Sequence, residues 1–326
     1  MIGQVIKDAV DAGRARGDIH MLDKLKENIN KHFIGKEEVV DNVLICLLSG
    51  GHVLLEDVPG VGKTTLARVL SGSVGADFGR IQFTPDTLPQ DVTGMSIYNM
   101  QTREFEFKPG AVMHNFLLAD EINRTSPKTQ SSLLEAMAEG GVTVDGKTYP
   151  LADPFMVIAT QNPIEFVGTY PLPEAQLDRF MMKLSIGYPD KESEIELTKM
   201  SLEGKVTSDV EAVCSAEDIV SMKREAAAVH ISESIYDYIR DITALTRTEE
   251  NFVMGASPRA TIFLASAARS HAYLDGRDFV KPDDIKAVAV NVLHHRLKLT
   301  PEARIAGEDA DSVIRGLVLK VKVPME

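Results

Sequence analysis

One stretch of the chain decides the fold: Leu54-Leu55-Glu56-Asp57-Val58-Pro59-Gly60-Val61-Gly62-Lys63-Thr64-Thr65. A short apolar run leads into a loop with two glycines, and a Lys-Thr pair then opens a helical pattern. Without a Cβ, Gly60 and Gly62 let consecutive backbone N–H groups curl around an anion. The helix that follows points its positive dipole end at the same place. The stretch therefore predicts a phosphate-binding loop between a buried strand and a helix.

The side chains of this loop predict how a nucleotide is held. Lys63 is expected to reach the β- and γ-phosphates of ATP, and the Thr64 hydroxyl is expected to ligate Mg²⁺. The predicted nucleotide-binding set also contains Pro59, Gly60, Val61, Gly62 and Thr65. The standard pattern has glycine at position 57, where this chain has Asp57. Since aspartate tolerates a left-handed backbone better than most residues, we expect the loop to form with Asp57 in place of glycine.

Short apolar runs predict the strands around this loop. They are His52–Leu55, Arg80–Phe83, Phe116–Ala119, Met156–Thr160 and Phe180–Ile186. Helical patterns over Thr64–Ser73 and Gln130–Glu139 separate them, and this alternation predicts a doubly wound parallel sheet of the α/β class. Inserted β-hairpins are predicted from Val92–Tyr98 with Glu104–Phe107, and across Val142–Tyr149, where an Asp-Gly pair favours a tight turn.

The strand signals vanish after Tyr188-Pro189-Asp190. Helices are predicted at Lys191–Leu202, Ala216–Ala228, Glu233–Thr248, Pro258–Asp275 and Pro282–Leu299, with Asp190, Ser215, Ser232 and Ser257 as N-caps. We therefore predict two domains. Residues 1–188 form an N-terminal helical segment and a nucleotide-binding αβα domain, and residues 189–326 form a small all-α domain.

Polar residues follow two of the predicted strands. Asp120 and Glu121 end the third apolar run; Asp120 is expected to hold Mg²⁺ through water, and Glu121 to polarise the attacking water. Unpaired carboxylates are expensive to desolvate, so such a pair at the end of a buried strand indicates a function. Asn162 follows the fourth strand and would reach the γ-phosphate if that strand neighbours the first and the third.

Two arginines complete the candidate catalytic set. Arg179 precedes the fifth strand in Leu177-Asp178-Arg179-Phe180. Arg259, in Gly255-Ala256-Ser257-Pro258-Arg259-Ala260, lies in the first turn of a helix, where its charge opposes the helix dipole. That cost suggests that Arg259 serves another purpose, although either arginine could also belong to an exposed ion pair.

The composition is typical of a globular protein, and the net charge disfavours binding to nucleic acid and to anionic membranes. Of its 326 residues, 44% are hydrophobic and 25% are charged, and the formal net charge is -13. Such a charge repels nucleic acid and anionic membranes. Residues 1–17 lack the apolar core of a signal peptide, and the longest apolar runs are too short to cross a bilayer. The two cysteines, Cys46 and Cys214, lie in unrelated contexts, so we expect a reducing cytoplasm.

Taken together, the motifs resemble the MoxR family of AAA+ ATPases, from about Ile34 to about Leu299. Residues 56–64 look like the Walker A motif of that family, Asp57 included, and Asp120-Glu121-Ile122-Asn123-Arg124 is similar to its Walker B motif. Asn162 falls at sensor 1, Arg179 at the arginine finger and Arg259 at sensor 2. The hairpins look like the helix-2 insert and the pre-sensor-1 hairpin.

This resemblance implies a helical lid and a hexameric ring with ATP bound between subunits. It implies that Arg259 serves the pocket of its own chain through the lid, whereas Arg179 serves the neighbouring subunit. Phe33 and Ile34 fall where the family packs the adenine. Family members act as chaperone-like remodellers that mature or activate other proteins, and they commonly partner a protein with a von Willebrand factor A domain.

Three other functions stay open at this point. A DNA-acting motor shares the inserted hairpins, but the acidic charge and the lack of a helix-turn-helix pattern in Pro301–Glu326 count against it. A metal-chelatase motor subunit is close in fold and is not excluded. A nucleotide-gated scaffold that scarcely hydrolyses ATP would leave Glu121, Asn162 and Arg179 without a use.

Overall fold

The structure is a computed structural model that describes residues 20–163, 168–202 and 210–324. Its strands are β1 (Val53–Glu56), β2 (Phe78–Gln82), β3 (Gly94–Asn99), β4 (Glu104–Pro109), β5 (Phe116–Asp120), β6 (Gly141–Val144), β7 (Lys147–Pro150), β8 (Met156–Gln161), β9 (Met182–Leu184), β10 (Phe252–Met254) and β11 (Lys298–Leu299). Its helices are α1 (residues 20–32), α2 (Glu37–Leu48), α3 (Lys63–Val74), α4 (Pro89–Thr93), α5 (Pro127–Glu139), α6 (Glu174–Leu177), α7 (Lys191–Leu202), α8 (Ala216–Ala228), α9 (Glu233–Thr246), α10 (Pro258–Leu274), α11 (Pro282–Leu293), α12 (Pro301–Ile305) and α13 (Ala310–Lys320). Single 3-10 turns lie at Ala111–Met113, Ile122–Arg124 and His294–Arg296.

The centre of the first predicted domain is a parallel sheet of five strands in the order β2-β5-β8-β1-β9. The five apolar runs form it, with bounds that differ from the predicted ones by a few residues. Helices pack on both faces of the sheet, so the inner strands β1, β5 and β8 bury side chains on both faces, which explains their continuous apolar runs. The α/β class is confirmed, and β8 lies between β1 and β5, as the prediction for Asn162 requires.

Alternate residues of the strands contribute to two hydrophobic layers, one on each face of the sheet. Val53 and Leu55 pack in the layer formed with α2 and α3, whereas Leu54 packs in the layer formed with α5. The first layer continues into the helices of the second predicted domain. The boundary near residue 189 therefore divides the sequence but not this core, and it stays a prediction.

Both predicted hairpins are present. Asp145 and Gly146 have φ of 50° and 77°, so the Asp-Gly pair makes the tight turn between β6 and β7. The other hairpin, β3 with β4, starts later than predicted because Val92 and Thr93 belong to α4. Phe107 and Tyr149 stack with their ring centroids 3.9 Å apart, which joins the two hairpins into one unit.

The second predicted domain is helical, and α7 and α8 have the predicted bounds. Ser215 and Ser257 accept the predicted capping hydrogen bonds, whereas Ser232 makes no side-chain capping bond. The sequence did not predict α12, α13 or the two-stranded antiparallel ribbon of β10 and β11. No helix in the described part of the chain has the length and apolar character needed to span a membrane.

The predicted helix Pro282–Leu299 is too long, because α11 ends at Leu293. The buried Arg296 interrupts it: its guanidinium donates to the backbone oxygen of Met181 and to the Asp178 carboxylate. These bonds hold the chain in a 3-10 turn, and β11 then leaves in a new direction. Such contacts join residues more than a hundred positions apart, so no local pattern announces them.

The His52 side chain, just before β1, contacts the backbone of both β8 and α5. Its Nδ1 accepts a hydrogen bond from the N–H of Val157 at 3.0 Å, and its Nε2 lies 3.3 Å from the oxygen of Met137. The first contact makes Nδ1 the acceptor, so Nε2 carries the proton and the ring is neutral. Burial lowers the pKa of His52 from 6.5 to about 4.

Acid should therefore destabilise the fold. The unfolded chain takes up a proton at His52 near pH 6.5 and the folded chain only near pH 4, so stability falls across that window, by about 3 kcal/mol. Chemical denaturation at pH 7.5 and pH 4.5 measures the loss. We expect a smaller loss in His52→Gln and an unchanged loss in the exposed control His230→Gln. Equal losses in all three proteins would contradict this role for His52.

Candidate nucleotide-binding site

Three loops at the carboxyl edge of the sheet enclose a cavity of ≈ 320 Å³. It is lined by Pro59, Gly60, Gly62, Lys63, Thr64, Thr65, Asp120, Glu121 and Asn162. The loops follow β1, β5 and β8, and parallel strands end at the same edge of a sheet, so the strand order brings distant residues together. All of these lining residues were predicted from the sequence to share one site.

The phosphate loop (residues 57–62) has the backbone that an anion requires. Gly60 and Gly62 have φ of 86° and 98°, a conformation that residues with a Cβ rarely adopt. Gly62 is the N-cap of α3, so the first turn of that helix begins in the cavity wall at Lys63. The N–H groups of a first turn have no partner within their helix. This geometry fits a phosphate group.

Lys63 lies between the loop and the acidic residues. Its Nζ donates to the backbone oxygen of Asp57 at 2.7 Å. Burial lowers the pKa of Lys63, while the carboxylates of Asp57, Asp120 and Glu121 oppose that change. The partly desolvated ammonium group would therefore gain from a phosphate placed in the cavity.

Asp120 is held at both carboxylate oxygens. Oδ1 accepts a hydrogen bond from Thr160 Oγ1 at 2.7 Å, and Oδ2 accepts one from Arg80 Nη2 at 2.8 Å. The Thr64 hydroxyl belongs to the same cavity wall. Carboxylate and hydroxyl oxygens are hard donors of the kind that Mg²⁺ prefers. The residues present therefore fit a magnesium site at this position.

Glu121, directly after β5, has an unusual backbone conformation. Its φ of 56° and ψ of 50° lie in the left-handed region, which costs roughly 1 to 2 kcal/mol for a residue with a Cβ. Its N–H donates to Thr160 Oγ1 at 2.8 Å, and its Oε2 accepts from Gln82 Nε2 and Arg124 Nη1, each at 2.9 Å. These bonds fix one oxygen of the carboxylate in the cavity wall.

A second cavity of ≈ 230 Å³ adjoins the first and shares Gly60, Gly62 and Thr65 with it. Its remaining wall consists of His32, Phe33, Ile34, Lys36, Val61, Pro189, Leu197 and Ser201. A Cβ at Gly62 would lie 3.1 Å from Cε2 of Phe33, so that ring packs directly against the phosphate loop. Phe33, Ile34 and Val61, all predicted nucleotide-binding residues, thus lie in this apolar cavity.

The loop forms with Asp57 as expected, but Asp57 does not use the left-handed conformation that aspartate tolerates, because its φ is not positive. The residue is instead buried at 7% exposure, and its carboxylate accepts hydrogen bonds from Ser185, Ile186 and Gly187. Asp57 therefore joins the phosphate loop to the segment that follows β9. A left-handed turn would have needed only local conformation, whereas these bonds depend on the sheet order that places β9 beside β1.

Arg179 and Arg259 lie away from both cavities. Arg179 precedes β9, so it belongs to the amino edge of the sheet, where Met181 bonds to His52. The four-residue β1 spans roughly 13 Å and separates that edge from the phosphate loop. The Arg179 side chain donates to the oxygen of Leu134 at 2.6 Å.

Arg259 was expected to reach the cavity of its own chain, and the structure places it elsewhere. Its Nη1 lies 3.8 Å from Oδ2 of Asp178, the residue before Arg179. Asp178 also accepts hydrogen bonds from Ser257 and Arg296, which draw the start of α10 to the amino edge. The two arginines therefore share one edge of the molecule.

Sequence reasoning missed four polar residues that touch the acids: Arg80, Gln82, Arg124 and Thr160. Arg80 and Gln82 lie on β2, which pairs with β5 in a register that sets Gln82 opposite Asp120. Their contacts depend on that register, which no local pattern specifies. The one available signal was Thr160, a hydroxyl in an otherwise apolar run.

Comparisons with known proteins show similarity to ATPases of the AAA type. A family model described as "ATPase family associated with various cellular activities (AAA)" matches residues 52–182, and one described as "AAA lid domain" matches residues 244–317. The chain is 52% identical over 310 residues to the uncharacterized protein YeaC of Bacillus subtilis, covering 95% of this chain and 97% of YeaC. It is 42% identical over 312 residues to the protein named Chaperone MoxR1 of Mycobacterium tuberculosis, covering 93% of this chain and 82% of that protein.

A solved structure has the same fold. The crystal structure of a candidate ATPase from Cytophaga hutchinsonii matches with a TM-score of 0.91 at 40% identity, covering 98% of this chain and 100% of that chain. The lid match runs to residue 317, so the likeness to this family extends beyond the predicted limit at Leu299. With well over 30% identity across nearly its whole length, the chain belongs to the MoxR family of AAA+ ATPases.

Proposed function

We propose that this protein hydrolyses ATP as a ring-forming motor that remodels partner proteins. The observation that carries the proposal is the cavity in which Lys63, Thr64, Asp120, Glu121 and Asn162 converge. Together they offer a cation for phosphate, oxygen ligands for Mg²⁺ and polar groups for the attacking water. A nucleotide-gated scaffold would need no such complete set.

We assign nucleotide binding to the two adjoining cavities. Lys63 and the first turn of α3 hold the β- and γ-phosphates, and Phe33 and Ile34 form part of the apolar wall for the adenine. Mg²⁺ bound by Thr64 and, through water, by Asp120 would neutralise charge on the phosphates. The two cavities adjoin at the shared residues Gly60, Gly62 and Thr65, and we propose that one nucleoside triphosphate occupies both.

We assign activation of water to Glu121. Its carboxylate lines the cavity, and the bonds from Gln82 and Arg124 set its direction. It accepts the proton as water attacks the γ-phosphate, while the amide of Asn162 orients the same water. Arg80 of β2 and Thr160 of β8 donate hydrogen bonds to the adjacent Asp120. These bonds orient Asp120 for Mg²⁺ and leave the activation of water to Glu121.

The two arginines support a shared site. Arg179 and Arg259 lie at the amino edge, too far from their own phosphate loop to act there. An arginine that stabilises the transferring phosphoryl group can come from a neighbouring subunit. We propose that both arginines act on ATP held by the next subunit, which requires a head-to-tail interface, and a closed ring of such interfaces completes every site. For Arg259 this replaces the expected action within one chain.

Ring assembly gives a direct prediction. With ATPγS, the native mass should rise to roughly six times the 35.7 kDa chain mass, because bound nucleotide supplies the contact for the neighbour's arginines. Native mass spectrometry measures it, and Lys63→Ala with ATPγS is the matched control that should stay small. A mass of one or two chains with every nucleotide would contradict the ring.

The proposed action on partner proteins is supported by the names of related proteins. The name Chaperone MoxR1 describes the protein from Mycobacterium tuberculosis, and we extend a chaperone-like role to this chain. We also propose a partner with a von Willebrand factor A domain, as the family resemblance implies. Cys46 and Cys214 are free thiols, which suits a cytoplasmic site of action. ATP-dependent binding between purified proteins tests the partnership, and nucleotide-independent binding would contradict a motor role.

A further inference from the structure

The connecting segment (residues 185–190) runs from β9 to α7 and links the sheet to the lid. Asp57 binds this segment three times. Its Oδ1 accepts hydrogen bonds from Ser185 Oγ at 2.8 Å and from the Gly187 N–H at 3.1 Å, and its Oδ2 accepts one from the Ile186 N–H at 2.6 Å. Bonds to a buried carboxylate are stronger than those between neutral groups. The connecting segment is therefore attached firmly to the phosphate loop.

The same residue bonds to the phosphate loop's own lysine. The backbone oxygen of Asp57 accepts the hydrogen bond from Lys63 Nζ at 2.7 Å. Asp57 thus contacts the phosphate-binding group through its backbone and the connecting segment through its side chain. A glycine, the usual residue at this position, could make the first contact and none of the others.

The position of α7 decides the shape of the second cavity. Pro189 of the connecting segment lines this cavity, and Leu197 and Ser201 of α7 complete its wall. The opposite wall is tied to the same elements, because Lys36 Nζ donates to the oxygen of Tyr188 at 2.8 Å. A Cβ at Gly35 would lie 2.2 Å from Oγ of Ser193, so the two walls touch closely.

We propose that Asp57 is a positioning residue that couples the phosphate loop to α7 and so sets the affinity for the nucleoside part of the nucleotide. The inference rests on the proposed ATP-binding function and deepens it. The carboxylate holds the connecting segment, the segment places α7, and α7 closes the cavity beside Phe33. The phosphate cavity does not include α7 in its wall, so it should not depend on this coupling.

Asp57→Gly separates the two possible roles of this position. It restores the residue found in the standard phosphate loop, keeps the backbone oxygen for Lys63 and removes all three bonds to the connecting segment. Asp57→Asn keeps the shape but places an amide N–H₂ where one acceptor oxygen was. The matched control is Asp145→Gly, which makes the same change at an exposed turn residue whose φ of 50° already suits glycine.

Calorimetric titration with Mg²⁺-ATP and with Mg²⁺-tripolyphosphate tests the coupling, since tripolyphosphate has no nucleoside. Asp57→Gly and Asp57→Asn should bind ATP about tenfold more weakly and tripolyphosphate within about twofold of wild type. Asp145→Gly should match wild type for both ligands. Ser185→Ala, which leaves the phosphate loop unchanged, should show a smaller loss for ATP alone.

Two results would overturn the inference. If Asp57→Gly binds ATP as well as wild type, the carboxylate does not set the affinity. If both ligands weaken equally in Asp57→Gly and Ser185→Ala, Asp57 merely maintains the fold. Failure of the underlying function would look different, because wild-type protein itself would then bind no ATP.

Discussion

Replacing Glu121 with glutamine should abolish ATP turnover and leave ATP binding intact. Glutamine keeps the length of the side chain and its contacts with Gln82 and Arg124, but it cannot take a proton from water. Since the carboxylate acts only during the reaction, its loss affects the transition state and not the ground state. We expect turnover to fall by about 100-fold or more, as for other general bases.

Lys63→Ala is the companion variant with the opposite signature. In the proposed site Lys63 contacts the phosphates before any reaction occurs, so its removal should abolish binding and turnover together. Titration with a fluorescent ATP analogue and release of phosphate from ATP distinguish the two variants. If Glu121→Gln loses binding as completely as Lys63→Ala, Glu121 has a structural role and the proposed mechanism is incorrect.

Arg179→Ala should reduce turnover on the order of 1,000-fold without weakening ATP binding. The residue lies at the amino edge of the sheet, and the phosphate loop lies at the carboxyl edge, so it makes no contact in its own chain's cavity. Its charge would act only on the phosphoryl group of the neighbouring subunit during transfer. Steady-state hydrolysis at saturating ATP measures the effect.

Arg240→Ala is the matched control for Arg179→Ala. Arg240 is an exposed arginine of α9 that pairs with Asp241 at 2.8 Å, and it lies outside both cavities. Its replacement should leave turnover unchanged. Turnover in Arg179→Ala equal to that of the Arg240 control would mean that Arg179 is only the local partner of the Leu134 oxygen.

The sheet and the phosphate cavity were predictable because their signals are local. Buried strands produce apolar runs, the loop at Gly60 and Gly62 requires glycine, and parallel strands must end at one edge. Asp120 and Asn162 could be placed in one site once their strands were assumed to be neighbours, which the order β5-β8-β1 bears out.

The rest of the site depends on packing between distant segments. The buried Arg296 bonds to Asp178, which lies 118 positions earlier in the sequence. Asp178 also pairs with Arg259, so this packing places Arg259 at the amino edge. The role of Asp57 depends likewise on β9 lying beside β1. Motif patterns identify such residues as notable, but they do not specify which atoms those residues contact.

One measurement tests the central claim, an ATPase site shared between subunits, most directly. In this account Lys63→Ala subunits do not hold ATP but still offer both arginines, whereas Arg179→Ala subunits hold ATP but lack Arg179 and offer only Arg259. After random mixing in equal amounts, about a quarter of the head-to-tail interfaces would pair an intact pocket with an intact arginine. Hydrolysis is measured on mixed rings whose content of both subunits has been verified by native mass spectrometry. The shared site predicts that these rings regain part of the wild-type turnover, whereas mixed rings as inactive as either parent would contradict it.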